Sequence, residues 1–210
     1  MRLSGSYRFS ASAILLLTIN LSFVFGCSRP SFLVGIGTGG KYLEAREEIT
    51  RPRGGNVDKA IVNLEGIVRD DPTYSDSLTL LGRAYYKKGR YQDAKLILQR
   101  ALAVNKEDEI AWLVFGLSQM RLGEHQQGLE AIKGGLTLLS RAMRDGYRDF
   151  PEWDRNGLVR SSLGRVVLLA TKGLDERENL MQATELLFAQ IDDEERFQRG
   201  DRTIKQLQER

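Results

Sequence analysis

The chain is predicted to be all-α: a short stack of paired helices with a helical C-terminal cap, preceded by a signal peptide and a flexible tether. Three observations predict this. The sequence matches itself at a shift of 34 residues, the mark of a helical-hairpin solenoid. Small residues recur at the matched positions, where neighbouring helices would have to approach closely. The first 27 residues form a basic and then apolar leader that ends in the only cysteine.

The leader comes first. Met1 to Ser10 carries Arg2 and Arg8 and no acid, and Ala11 to Phe25 is apolar around Ile14, Leu15, Leu16 and Leu17. A basic region, an apolar region and a small residue at the cut make a secretory signal over residues 1–26. An uncleaved span would want about 20 apolar residues, and Asn20 and Ser22 interrupt this one. Val24-Phe25-Gly26-Cys27 resembles the lipobox of bacterial lipoproteins, with Phe25 where that family prefers a smaller residue. The resemblance implies that Cys27 takes a diacylglyceryl group, that cleavage falls before it, and that the new amino terminus is acylated. Two or three acyl chains hold a protein firmly to a membrane. Ser28 resembles the choice that sorts such lipoproteins to the outer membrane, facing the periplasm, whereas retention in the inner membrane usually uses aspartate. An ordinary secreted protein and a signal anchor are the alternatives.

Removing residues 1–26 leaves 184 residues with 29 basic against 28 acidic side chains, a net charge near +1. A nucleic-acid surface needs clustered surplus charge, which this balance does not supply. The mature length suits one domain with a real core. Residues 27–40 follow as the lipidated cysteine and its tether, with Gly35, Gly37, Gly39 and Gly40 giving a flexible chain. Gly35 to Tyr42 approximates a phosphate-binding loop, but Tyr42 stands where a magnesium-binding Ser or Thr is needed and no βαβ series follows. The tether reading is preferred, and no cofactor is expected.

The repeat region spans 41–142. Gly55, Gly89 and Gly123 align, as do Ala60, Ala94 and Gly128, and Leu64, Leu98 and Ile132. Leu78 aligns with Trp112, Leu81 with Phe115, and Gly82 with Gly116. This pattern resembles the tetratricopeptide repeat, in which two helices pack through small residues. The resemblance divides the region into a partial repeat 41–74 and repeats 75–108 and 109–142. Gly89 and Gly123 fall at inter-helix turns, where a left-handed backbone favours glycine. Arg51-Pro52-Arg53-Gly54-Gly55 is expected to break or shorten the first helix of the partial repeat.

Residues 143–192 are expected to form a C-terminal helical region, with a degenerate fourth repeat as one reading of it. Asp145 to Asp154 reads as an ordered loop anchored by Tyr147, Phe150 and Trp153. A helix over Leu158 to Lys172 ends at Gly173, and a second starts near a capping box of Asp175 and Glu178 and carries Leu180, Ala183, Leu187 and Ile191. The Leu163-Gly164 step is compatible with a degenerate unit. Residues 193–210 are nearly all polar and read as a solvated capping helix or a fraying tail.

Little catalytic chemistry is visible. His125 is the only histidine, expected at an exposed turn, and a metal site needs more ligands at suitable spacing. Asp70-Asp71 and Asp192-Asp193-Glu194-Glu195 sit at helix ends or on polar faces, without the unequal environments that acid–base work needs. An enzyme is therefore not expected. The repeat resemblance implies a concave groove for protein partners, built from Thr79, Arg83, Tyr86 and Lys87 of one repeat and Leu113, Leu117, Met120 and Arg121 of the next. Such a groove, apolar on one wall and basic at its rim, suits an amphipathic segment with acidic residues. The other reading of Leu113, Leu117 and Met120 is packing against a neighbouring helix. The expected function is a lipid-anchored adaptor for protein–protein interactions in the cell envelope, in the assembly of a secretion, pilus or outer-membrane complex. The alternative is a structural or peptidoglycan-associated lipoprotein with no defined peptide ligand.

Overall fold

A computed structural model describes residues 37–145, 147 and 152–208, with side chains described through residue 200. The leader, Cys27, most of the tether and Phe150 lie outside the described residues. Most of the described residues are helical, and none of them forms a strand. Among them no helix is long and apolar enough to cross a membrane.

Six helices make three hairpins: α1 (Thr38–Thr50) with α2 (Val57–Asp70), α3 (Ser77–Lys87) with α4 (Tyr91–Val104), and α5 (Glu109–Arg121) with α6 (His125–Asp145). The second helices start at Val57, Tyr91 and His125, each 34 residues after the last, so the sequence period is the structural one. The first helices α1, α3 and α5 neighbour one another along one face of the stack. Gly89 and Gly123 hold φ angles of 73° and 85° at the hairpin turns, where a side chain would strain the backbone.

Close crossings explain the other recurring glycines. A Cβ on Gly82 would lie 2.5 Å from a Leu98 side-chain carbon. On Gly116 it would lie 2.6 Å from the Gly128 carbonyl oxygen and 2.8 Å from Ile132. Helix α5 can touch α6 along much of its length because both partners lack side chains at the crossing. Leu64, Leu98 and Ile132, aligned in sequence, are all fully buried in one continuous core.

In the first hairpin Arg51 to Gly55 ends the first helix early rather than splitting it, and forms a connection six residues long against three between α3 and α4. Pro52 cannot continue a helix, so α1 ends at Thr50 and the chain needs extra residues to reach α2. The left-handed glycine is Gly54 there, while Gly55 lies where any Cβ would collide with the Glu48 carbonyl. Thr38 to Tyr42, expected partly as tether, are the opening turn of α1, with Lys41 exposed.

Beyond α6, Tyr147 and Trp153 are buried with ring centroids 4.4 Å apart, as an aromatic anchor should be. Asp154, also buried and with φ 54°, accepts the N–H groups of Val159 and Arg160 and so starts α7 (Leu158–Lys172). A 3-10 turn, Gly173–Glu176, leads into α8 (Arg177–Gln208), so Asp175 lies in the turn ahead of the helix. Helices α7 and α8 pack as a hairpin. Gly164 has open space where a Cβ would stand, so this pair lacks the close crossing of α5 with α6.

Helix α8 does not end in a solvated tail where the polar residues begin. It continues unbroken past Asp192, and Asp192, Glu195 and Gln198 are buried. The reason is their partners. The helix turns back along the face made by α1, α3 and α5, where arginines receive its carboxylates.

Candidate functional site

The site is the concave face, and the chain's own C-terminal helix lies in it. Each first helix contributes one arginine: Arg46 from α1, Arg83 from α3 and Arg121 from α5. Arg83 Nη2 meets Asp192 Oδ2 at 2.6 Å, with side chains only 11% and 6% exposed. Its guanidinium also stands 5.8 Å from the Phe188 ring centroid. Burial works against the Arg83 charge, but Asp192 outweighs it and holds the pKa above its ordinary value. Such a pair is stable only because both charges are satisfied.

Arg46 Nη2 meets Glu195 Oε2 at 2.6 Å and also donates to the Tyr42 hydroxyl at 3.2 Å. Tyr42 itself bonds to Asp76, and burial together with that carboxylate pushes its pKa up to about 12. Tyr86 donates to Glu185 Oε1 at 2.5 Å, and Arg121 reaches the same carboxylate at 3.1 Å from a more exposed position. Burial raises the Tyr86 pKa, so the phenol stays a donor. Lys87 gives its ammonium to the Ile49 carbonyl at the end of α1. Burial, with Arg83 nearby, lowers its pKa.

On α8 the contacting residues are Glu185, Phe188, Asp192 and Glu195, spaced i, i+3, i+7 and i+10. That spacing sets them on one face of a helix. The adjoining stripe, Leu180, Thr184, Leu187 and Ile191, is buried. Further along, Arg196 donates to the Thr50 carbonyl. Gln198 donates to the Glu152 carbonyl, and Glu194 accepts the Asp154 N–H. The polar end of α8 thus also fixes the loop that starts α7.

Beside α8 a cleft of about 410 Å³ remains between it, α1 and α3. Its walls include Pro52, Tyr91, Val114 and Phe188, with Lys87 and Arg51 among its charged residues.

The predicted groove residues therefore divide. Arg83, Tyr86, Lys87 and Arg121 come together on the concave face. Leu113, Leu117 and Met120 do not: all three are buried in the core, and Leu113 and Met120 pack against α6 at Gly135 and Gly128. Thr79 is also buried and donates to Asp108 at 2.6 Å. Asp108 caps α5 through the Ala111 N–H, so Thr79 ties one repeat to the next rather than facing a ligand. His125 is half-buried rather than exposed, its Nε2 3.0 Å from Arg177.

Sequence reasoning missed Arg46, Glu185, Phe188, Asp192 and Glu195. The spacing of the last four was readable in the sequence. Nothing in it showed that this face of a polar helix meets arginines, and the acidic run suggested solvent. Among the described residues no group of three His, Cys, Asp or Glu side chains could hold a metal ion.

Stacked helix hairpins with their first helices lining one face define a repeat solenoid. Residues 54–114 match the family model of the tetratricopeptide repeat. Over that segment the chain carries the tetratricopeptide-repeat pattern, which supports a protein–protein interaction scaffold. It is also similar to the solved structure described as "Crystal structure of MamA", at 24% identity and a TM-score of 0.41, over 68% of this chain and 71% of that one. No curated protein matches the chain.

Proposed function

We propose that the protein is a lipid-anchored scaffold that holds partner proteins in the bacterial cell envelope, with the concave face as its partner-binding surface. One observation carries the binding part of this reading. Three consecutive first helices each aim an arginine at the same amphipathic helix, two of them through pairs withdrawn from water. A face so equipped selects an acidic helix by charge complementarity. Anchoring rests on the leader and on Cys27 as the lipidated residue, and Ser28 after it suits an outer-membrane lipoprotein facing the periplasm. The assembly served would be an envelope complex such as a secretion, pilus or outer-membrane machine.

Crosslinking in cells followed by affinity capture tests this, comparing wild type with Cys27→Ala and with Arg121→Glu. The expected result is a discrete envelope partner for the wild type, less of it for Arg121→Glu, and release of Cys27→Ala from the membrane fraction. Equal recovery of the partner by Arg121→Glu would move binding off the concave face.

A further inference from the structure

Because α8 already fills the groove, an outside partner can use it only by replacing α8. We infer that the concave face takes an acidic amphipathic helix of a partner protein by exchange with α8, which serves as the resident copy of that ligand. The inference rests on the scaffold reading and specifies the ligand.

The structure supplies the template. Glu185, Asp192 and Glu195 are seven and three residues apart, which places them about 10 and 5 Å apart along a helix rising about 1.5 Å per residue. Neighbouring helices in a stack lie about 8–10 Å apart, so the first interval matches the step from α5 to α3. The shorter second interval is made up by the long Arg46 side chain reaching to Glu195. Between the carboxylates, Phe188 lies under Arg83, and Ile191 is buried on the neighbouring stripe. A partner helix with carboxylates at i, i+7 and i+10 and an aromatic at i+3 would repeat every polar contact that α8 makes with Arg46, Arg83, Tyr86 and Arg121.

Exchange also avoids the difficulty of a vacant groove. Stripping Asp192 from Arg83 would leave a buried cation without its counter-charge. Trading one carboxylate for another keeps it paired throughout. The cleft of about 410 Å³ between α8, α1 and α3 gives an incoming helix its first foothold, next to Tyr91 and Phe188.

The probe is a labelled peptide of residues 177–200 in its native sequence. It is titrated against the full mature chain, either wild type or with Asp192→Lys and Glu195→Lys. These reversals set lysines against Arg83 and Arg46 and release α8. The peptide should bind the reversed chain at least about tenfold more tightly than the wild type, whose groove is filled. A peptide with the same two reversals should not bind. A reversed chain of unchanged helicity that ignores the native peptide would overturn the inference.

If the reversed chain fails to fold, hydrogen exchange in the wild type decides. Amides of 185–195 should exchange at least about tenfold faster than those around Leu98 and Leu117, as expected of an element that undocks locally. Equal rates would overturn the inference. Wild-type dimers in sedimentation, abolished by the reversals, would assign the groove to α8 of a second copy and overturn its assignment to another protein. Capture of a cellular partner despite failed exchange would remove the exchange and leave the scaffold. Peptide exchange with no cellular partner would support the exchange and remove the scaffold.

Discussion

Arg83 and Asp192 stand 109 residues apart in sequence, yet they meet at 2.6 Å with almost no contact with water. Removing one member of such a pair strands the other charge. Arg83→Ala should therefore destabilise the fold by about 3–5 kcal/mol. Arg121 is a third exposed at its pair with Glu185, so Arg121→Ala should cost under about 1 kcal/mol. Denaturant unfolding of the two variants checks both values, and similar losses would contradict the ranking. The glycines give a second contrast. Gly116→Ala would drive a Cβ into the Gly128 carbonyl and should cost about 1–3 kcal/mol. Gly134 lies within α6 with open space around its missing Cβ, so Gly134→Ala should stabilise by about 0.5–1 kcal/mol. Buried tyrosines add a pH dependence. Burial raises the pKa of both Tyr42 and Tyr85 to about 12. The folded chain keeps these protons where the unfolded chain has lost them, so stability should fall as pH rises from 10 to about 12. Lys87, lowered by burial and Arg83, opposes this as a single group against three tyrosines, Tyr86 being raised by burial as well. Phenolate absorbance followed with helicity should show the late tyrosines titrating as helicity is lost.

The repeat helices were legible because each carries a local signal. Gly82, Gly89, Gly116 and Gly123 recur with the period, and each does the same physical job in its repeat. The connection after α1 was located, but whether it would split that helix or end it early was open. Pro52 marks a helix end equally well whether it splits one helix or follows it. The groove was only half legible. Along α5, Leu113, Leu117 and Met120 are apolar and close in sequence to Arg121, yet all three are buried, Leu113 and Met120 against α6. Helix α5 is apolar nearly all round, with buried residues at most of its positions, so sequence pattern alone does not say which side faces a ligand. Helix α8 was the largest miss. A run of four acids reads as solvated unless its partners are known, and the arginines that pair with Asp192 and Glu195 lie in α3 and α1, distant in the chain. Asp154 controls the start of a whole helix. Its carboxylate accepts both N–H groups at the start of α7, while its own N–H goes to Glu194. Asp154→Ala should loosen α7 by about 1–2 kcal/mol. Hydrogen exchange should show faster amides at Val159 and Arg160, with those of α3 unchanged.

At the scale of the molecule, three hairpins make a curved face and the fourth folds back to cover it. The stack presents arginines inward, one from each first helix, and α8 answers with Glu185, Asp192 and Glu195. An apolar stripe on α8 packs at the same time into the shared core through Leu180, Leu187 and Ile191. The groove is thus occupied by the chain's own helix, and the proposed function depends on that occupancy. The most direct test places cysteines at Tyr86→Cys and Glu185→Cys, residues whose side chains meet in the groove, in a mature chain with Cys27→Ser. The chain is then treated with a short bifunctional maleimide. Rapid crosslinking within one chain, independent of protein concentration, is the predicted result. No crosslink in the folded protein, or crosslinks only between chains, would show that α8 does not close its own groove.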